Sequence, residues 1–158
     1  RKEIHKDRFK EVRIGDICEQ IQDSGIGLGA NYIFGLPMDT HESMQETLDY
    51  ALSLNSEMAN FYTAMAYPGS PLHLQAKQLG WQLPDTYVGY SQHSYETLNL
   101  RNENLTAAEI LKFRDEAYDK FHSRESYLKM LEDKYGPNAR QNVESSNKIK
   151  LKRKILGD

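Results

Sequence analysis

Apolar positions recur at helical spacing near the start of the chain and then give way to a continuous apolar run. The first pattern comprises Ile14, Ile17, Cys18 and Ile21. It predicts an amphipathic helix over about residues 8–24, which ends where Gly25 can adopt a left-handed conformation. Residues 30–36 are apolar except at Asn31, and Pro37 closes the run. Its length and its boundaries predict a buried strand of a parallel sheet.

A second helix and a second strand follow. Asp39 and Glu42 are spaced as a capping-box variant, and the helix that they open is predicted to end near Asn55. Residues 58–66 are compatible with a strand and stop at a Pro-Gly pair, residues 68–69. The chain therefore alternates between helix and strand over its first half.

A short third helix completes this repeat. Ser70 as N-cap, Pro71 at the first helical position and Gly80 after the last turn bracket it. The order helix, strand, helix, strand, helix is typical of an α/β fold, because each connection is long enough for a crossover between parallel strands. Two strands alone would leave both edges of the sheet unpaired.

The second half of the chain is predicted to be helical after an irregular connector. The connector spans residues 83–104 and shows no sustained period. Thr106 and Glu109 form a capping box ahead of a long helix, a further helix ends at Gly136, and Pro137 can open one more. The basic tail KIKLKRKILGD is predicted to be a solvated helix end.

Composition limits the classes of function. The 20 Lys and Arg residues against 23 Asp and Glu give a formal charge of -3, which does not favour a nucleic-acid partner. No apolar run approaches the roughly 20 residues that span a bilayer, so we expect a soluble, cytoplasmic protein. Cys18 is the only cysteine and is predicted to be a small buried residue on a helix face. The charged start, which lacks an initial Met and an apolar signal core, suggests an excised piece or a processed chain.

Candidate ligand contacts lie where the two strands end. Strand alternation places Asn31, Ile33 and Gly35 on one face, and the bulkier residues between them on the face that packs under helices. Ligands bind at the carboxyl ends of parallel strands, and the missing side chain of Gly35 would permit a close approach there. His73 is predicted to be a surface histidine on the third helix, and the tyrosines of the connector are predicted to pack as an ordinary loop.

The segment from residue 29 to residue 71 carries a resemblance to a known family. It contains a strand of pattern N-x-I-x-G-L-P, a helix with E-S-M-x-x-T-L and a strand that ends in YPG-S-P-L. These motifs are similar to the fifth and sixth strands of radical S-adenosylmethionine enzymes. The resemblance implies late strand-helix units of a partial TIM-type barrel. In that family a CxxxCxxC motif holds a four-iron four-sulfur cluster, and S-adenosylmethionine is cleaved to a 5′-deoxyadenosyl radical.

The same resemblance implies where this chain would contact the cofactor. The family's fifth-strand motif lies against the adenosyl group; Ile33 and Gly35 match it, Asn31 replaces its first glycine, and Met38 stands where an acid is expected. The resemblance implies no catalytic residue and no metal ligand in this chain. The cofactor-binding residues that it implies are Asn31, Ile33, Gly35, Ala66, Tyr67 and Pro68.

The C-terminal half resembles the helical extension of a narrower group. The stretch LTAAEILKFRDEAYDKFHSRESYLKMLEDKYG and the basic tail are similar to cobalamin-dependent enzymes of the Mg-protoporphyrin IX monomethyl ester oxidative cyclase-like group. The predicted organisation is a barrel piece in residues 1–82, a connector in residues 83–104 and a helical extension in residues 105–158. Cobalamin would enter through a preceding domain that this chain does not contain.

Two hypotheses of function follow. In the first, the chain contributes the adenosyl-side wall of a radical S-adenosylmethionine site, acts on an unknown small molecule, and needs the N-terminal half of the barrel as its partner. It would be inactive alone, because the cluster cysteines are absent. In the alternative, the chain is a non-catalytic interaction module derived from this fold. Exposed strand edges also predict pairing with a second copy. A self-contained hydrolase is disfavoured, since the sequence has no G-x-S-x-G motif.

Overall fold

A computed structural model describes residues 13–158 and gives them a mixed α/β fold. This part of the chain contains six α-helices and a two-stranded parallel sheet, as the alternation of helical and strand patterns predicts. Short 3-10 turns lie at Tyr87–Tyr90 and Lys154–Leu156. In chain order the elements are α1 (Ile14–Asp23), β1 (Gly29–Phe34), α2 (His41–Leu54), β2 (Met58–Thr63), α3 (Pro71–Gln78), α4 (Ala107–His122), α5 (Glu125–Tyr135) and α6 (Pro137–Asn147).

Side-chain caps begin three of the six described helices, α2, α3 and α4. The Thr106–Glu109 capping box of α4 is confirmed: the Glu109 amide donates to Thr106 Oγ1 at 3.2 Å, and the Thr106 amide donates to Glu109 Oε2 at 2.7 Å. Ser70 caps α3, which Pro71 opens. Gly25 takes a φ of +80° just after α1, as predicted. The start of the predicted first helix, residues 8–12, lies outside the described residues.

The predicted cap of α2 is wrong by one residue. Thr40, not Asp39, is the N-cap, and its side chain and that of Ser43 form a reciprocal capping box. Asp39 instead accepts a hydrogen bond from the Leu36 amide at 2.9 Å and so closes the turn between β1 and α2. Glu42 lies in the first turn, where an acidic side chain interacts favourably with the helix dipole.

The sheet buries one face and leaves the other open. In its register Asn31 lies opposite Asn60, and Ile33 opposite Tyr62. The buried side chains Tyr32, Phe34, Ala59 and Phe61 belong to a hydrophobic core that also takes residues from α2, α4 and α5. Phe61 stacks on Phe34 with ring centroids 5.8 Å apart. The predicted assignment of bulky residues to the helical side is confirmed for Tyr32 and Phe34.

Side chains bond part of the outer edge of β2. The Met58 and Ala64 amides donate toward β1, so the backbone groups of the alternate residues from Glu57 to Thr63 point the other way. Three of their carbonyls accept hydrogen bonds from side chains later in the chain. Tyr127 Oη donates to the Glu57 carbonyl, just before β2, at 3.1 Å, and Arg114 Nε donates to the Phe61 carbonyl at 2.7 Å. Gln92 Nε2 donates to the Thr63 carbonyl at 2.9 Å, while its Oε1 accepts from the Thr63 amide at 3.1 Å.

The outer edge of β1 is open in the part of the chain that the structure describes. Gly29, Asn31 and Ile33 direct their backbone groups away from β2, and within residues 13–158 no hydrogen bond reaches those groups. Among residues 13–158 both edges of the two-stranded sheet lack a neighbouring strand, as expected, but side chains from later in the chain bond part of the β2 edge.

The C-terminal tail also differs from its prediction. Residues 148–153 form no helix, so the predicted helix end is wrong, although the four lysines of the tail are exposed as predicted. Arg153 is the exception, because it is only 1% exposed. The reason is an ion pair with Asp115 of α4, which draws the guanidinium into the protein. None of the helices in residues 13–158 is long and apolar enough to cross a membrane.

Candidate functional site

The uncovered side of the two strands, here called the open sheet face, carries Asn31, Ile33, Met58, Asn60 and Tyr62. Ile33 is 45% exposed and Met58 is 66% exposed, which is unusual for strand residues of this size. Asn60 Nδ2 donates to Asn31 Oδ1 at 3.0 Å and holds the two amides side by side across the strands. The face is therefore flat, partly apolar and ordered by an amide pair.

The side chains of the open sheet face are uncharged. None of its five side chains carries a charge at neutral pH, so it would select a ligand by shape and hydrogen bonding and not by Coulomb attraction. After their mutual bond, Asn31 keeps its amide donor and Asn60 keeps its carbonyl acceptor, because each side-chain amide has both groups. Ile33 and the half-buried Tyr62 lie opposite each other and offer apolar surface beside that pair. The arrangement suits one side of a planar polar ring.

Gly35 does not share this face. β1 ends at Phe34, and Gly35 turns the chain with a φ of +77°. A Cβ atom at Gly35 would lie 2.6 Å from Cγ2 of Ile110, so the close approach that the glycine permits is made by a side chain of α4. The expectation that Gly35 lies on one face with Asn31 and Ile33 is wrong, because strand alternation stops before it.

The three candidate residues that follow β2, namely Ala66, Tyr67 and Pro68, lie in two different environments. β2 ends at Thr63, three residues earlier than predicted, and Ala66 is 2% exposed in a small core cluster with Ala76 and Leu100. Tyr67 and Pro68 are exposed at the surface. Sequence reasoning thus placed the strand end too late, and the side chain of Ala66 packs inside the protein.

A cleft of about 440 Å³ lies beside these residues and contains an unexpected histidine. His73 is buried, although it was predicted to be a surface residue, and its Nδ1 has no hydrogen-bond partner among the described residues. Pro68, Tyr87 and Tyr90 line the same cleft. Tyr90 stacks on Tyr67 with ring centroids 5.9 Å apart, so the connector packs against the turn that follows β2.

Sequence reasoning missed three residues of the open sheet face: Met58, Asn60 and Tyr62. The signal that could have identified them is the alternation along β2, whose burial pattern changes at every residue up to its end. Because β1 and β2 are parallel and in register, the exposed positions of one strand must lie beside those of the other.

The donor groups of the chain fit only part of the cofactor set that the resemblance implies. Cys18, the only cysteine, is buried on α1, as predicted, so this chain has no set of thiolates for an iron-sulfur cluster. Among residues 13–158 no group of three or more His, Cys, Asp or Glu side chains is placed to hold a metal ion. The exposed Ile33 and the amide of Asn31 fit one side of a nucleoside.

Comparisons of this chain with protein-family models, with curated proteins and with solved structures found no match.

Proposed function

We propose that this chain forms the adenosyl-side wall of the S-adenosylmethionine site in a radical S-adenosylmethionine iron-sulfur oxidoreductase. The observation that carries the proposal is the asymmetry of the sheet within residues 13–158: side chains bond part of its β2 edge, whereas its β1 edge is open and one face is uncovered. The two strands that form this asymmetric sheet, β1 and β2, are also the two strands whose sequence motifs resemble radical S-adenosylmethionine enzymes.

The open edge supports the placement of the chain in a larger barrel. A two-stranded parallel sheet is a marginal structure by itself, and its free edge and free face are the surfaces that further strands would cover. Further strands would join more readily at β1, because the outward carbonyls of Phe61 and Thr63 on β2 already accept side-chain hydrogen bonds. β2 would then be the last strand of a partial TIM-type barrel, and the earlier strands would come from an N-terminal half.

The residues of the open sheet face would bind and orient the nucleoside. Ile33 would pack on the adenosyl group, and the Asn31 amide, held by Asn60, would offer it a hydrogen bond. Tyr67 and Pro68 would lie near the adenine after the last strand. The cluster and S-adenosylmethionine supply the radical chemistry when bound. No cluster ligand lies in this chain, so it would be inactive alone.

The narrower assignment is based on the C-terminal helices. We place the protein in the cytoplasm and in the cobalamin-dependent Mg-protoporphyrin IX monomethyl ester cyclase-like group, with α4 to α6 as its helical extension. Cobalamin would be held by a preceding domain. The substrate would be a small molecule that the group's name does not identify.

The test is S-adenosylmethionine cleavage by the full reading frame that contains this chain. After anaerobic reconstitution, formation of 5′-deoxyadenosine is measured for the wild type, Ile33→Ala and Ile26→Ala. Loss of an apolar contact at Ile33 should raise the KM for S-adenosylmethionine about tenfold. Ile26 is the matched control, because it is 61% exposed and precedes β1.

Two results would contradict this proposal. The first is a full-length protein that has no CxxxCxxC motif or forms no 5′-deoxyadenosine. The second is an Ile33→Ala variant with the same KM as Ile26→Ala. Tight binding of S-adenosylmethionine by the isolated chain would contradict the idea that it holds only half of the site.

The alternative function, a non-catalytic interaction module, is favoured by the exposed Met58 and by the open β1 edge. An open edge can pair with a second copy of the chain as well as with another domain. Full-length protein that takes up no cluster under anaerobic iron and sulfide treatment would support the module. Light scattering of the purified chain tests self-pairing, and a monomer mass would exclude it.

A further inference from the structure

A second cleft lies away from the open sheet face, between α4, the connector near His93 and the C-terminal segment. Its volume is about 430 Å³, and two arginines, Arg114 and Arg153, contribute to its wall. Arg114 is 4% exposed and Arg153 is 1% exposed. Arginine is almost never so deeply buried unless its charge is paired, so the partners of these two side chains decide what the cleft can bind.

All three guanidinium nitrogens of Arg153 have hydrogen-bond partners in the protein. Its Nε and Nη2 bind the two carboxylate oxygens of Asp115, each at 2.9 Å, in a bidentate ion pair. Its Nη1 donates to the carbonyls of Gln92 at 2.9 Å and Ser94 at 3.2 Å. This guanidinium therefore ties the C-terminal segment to α4 and to the connector.

Only two of the three guanidinium nitrogens of Arg114 have hydrogen-bond partners among the described residues. Its Nε donates to the Phe61 carbonyl at 2.7 Å, and its Nη1 donates to Asp115 Oδ1 at 2.7 Å. Its other terminal nitrogen, Nη2, has no hydrogen-bond partner among residues 13–158. A guanidinium has five N–H donors, so a deeply buried Arg114 keeps donors that are not used by the protein.

The charges of the cleft do not balance. Arg114 and Arg153 share the single carboxylate of Asp115. The other ion pair of the cleft joins Lys150 to Asp119 at 2.6 Å and is neutral as a unit. Among the side chains that line the cleft, one formal positive charge is thus left over, and Arg114 is the arginine that retains free donors. A further carboxylate, that of Asp158, accepts a hydrogen bond from the Arg153 backbone amide and is not part of the lining.

The walls of the cleft would suit an anion with a small apolar body. Ile149, Leu151 and Leu156 line it, and the Arg114 guanidinium lies 5.4 Å from the centre of the Tyr118 ring. The bonds of Arg114 to Phe61 and Asp115 hold its planar guanidinium in one orientation. A guanidinium binds carboxylate and phosphate oxygens through parallel N–H donors.

We propose that this cleft is a binding site for a small oxyanion, the shared chemistry of carboxylate and phosphate groups, and that Arg114 Nη2 is its principal donor. The site is separate from the open sheet face and does not depend on the function proposed above. An oxyanion there would supply the charge and the acceptors that Asp115 alone does not provide.

The histidine at the rim supplies an independent signal. Partial desolvation lowers the pKa of His93, whose side chain is still exposed to solvent; the charges of Arg114 and Arg153 lower it further, and Asp115 acts in the opposite direction. An anion bound at Arg114 offsets this positive potential. Occupancy of the cleft should therefore raise the His93 pKa, a change that proton NMR titration detects without any mutation.

The experiment uses the purified chain at pH 7 and constant ionic strength. Inorganic phosphate and acetate are titrated separately, and the side-chain N–H signals of arginine and the amide signals are followed by NMR. The expected result is a saturable shift confined to Arg114 and residues 146–156. If phosphate saturates the site at lower concentration than acetate, the ligand carries a phosphate; the reverse order indicates a carboxylate.

Two pairs of variants keep the proposal falsifiable. Ile149→Glu places a carboxylate on a wall residue that is 75% exposed, so folding is retained and anion binding should weaken about tenfold, while Ile26→Glu should have no effect. Arg114→Lys keeps the charge but removes the planar donor pair and should also weaken binding about tenfold, unlike Arg101→Lys at an exposed site. Non-saturable shifts over the whole surface, or equal affinity of Ile149→Glu and Ile26→Glu, would overturn it.

Discussion

Gly35→Ala is the change for which the structure allows the clearest prediction. Gly35 has a φ of +77°, and an added Cβ would lie 2.6 Å from Cγ2 and 2.9 Å from Cδ1 of Ile110. Ile110 is fully buried in the core between α4 and the sheet, so neither side has room to move. The substitution therefore combines backbone strain with overpacking.

The magnitude follows from these two contributions. A side chain in the left-handed region costs about 1–2 kcal/mol, and an added methyl group in a filled core costs about 1–3 kcal/mol. Gly35→Ala should thus lower the free energy of unfolding by about 2–5 kcal/mol. Gly69→Ala is the matched control, because Gly69 has a φ of +87° and nothing within 4 Å of its added Cβ. The control should lose only about 1–2 kcal/mol.

Urea unfolding followed by circular dichroism measures both values. Adding Ile110→Ala to Gly35→Ala removes the clashing atoms, so the double variant should be more stable than the sum of the single losses predicts, by about 1–3 kcal/mol. Equal losses at Gly35 and Gly69, or strictly additive effects of Gly35 and Ile110, would show that the α4 side chain does not fill the space in front of the glycine.

Two further predictions concern Glu57 and the closed edge. Burial opposes the ionisation of Glu57, but hydrogen bonds from Lys134 and a backbone amide outweigh it and lower its pKa. Its contribution to stability is therefore present above the usual pKa of about 4.3 and is lost as the pH falls through the lowered value. Urea unfolding between about pH 5 and pH 3 should show a shallower decline for Glu57→Gln than for the wild type, whereas Glu103→Gln should follow the wild type. Tyr127→Phe leaves the buried carbonyl of residue 57 unpaired and should cost about 1–2 kcal/mol in the same assay at pH 7, and a loss no larger than that of the exposed Tyr50→Phe would refute a role in closing the edge.

The elements that the sequence predicts correctly are those encoded by neighbouring residues. Thr106 and Glu109 are three positions apart and cap α4 as expected. The alternation of side chains along β1 correctly predicts that Tyr32 and Phe34 lie on its buried face. Where adjacent residues compete for one role, the prediction fails: Asp39 and Thr40 are both good caps, and only the turn that Asp39 makes with Leu36 decides between them.

The closure of the sheet could not be predicted from local patterns. Gln92, Arg114 and Tyr127 reach β2 from 29, 53 and 70 residues away in sequence. Each is unremarkable in its own segment, since a Gln in a connector or an Arg on a helix is most often solvated. Arg153 is a similar case, because the basic tail around it gives no sign of Asp115, which lies 38 residues earlier.

Arg114 connects the edge of the sheet to the proposed oxyanion cleft. Its Nε occupies the Phe61 carbonyl, so no strand can pair with that part of β2 unless this bond breaks and leaves a buried guanidinium partly unpaired. Its Nη2 lies on the same rigid plane, so an anion that binds there holds the Nε bond in place. Anion binding and the Arg114–Phe61 bond at the β2 edge should therefore be mutually stabilising.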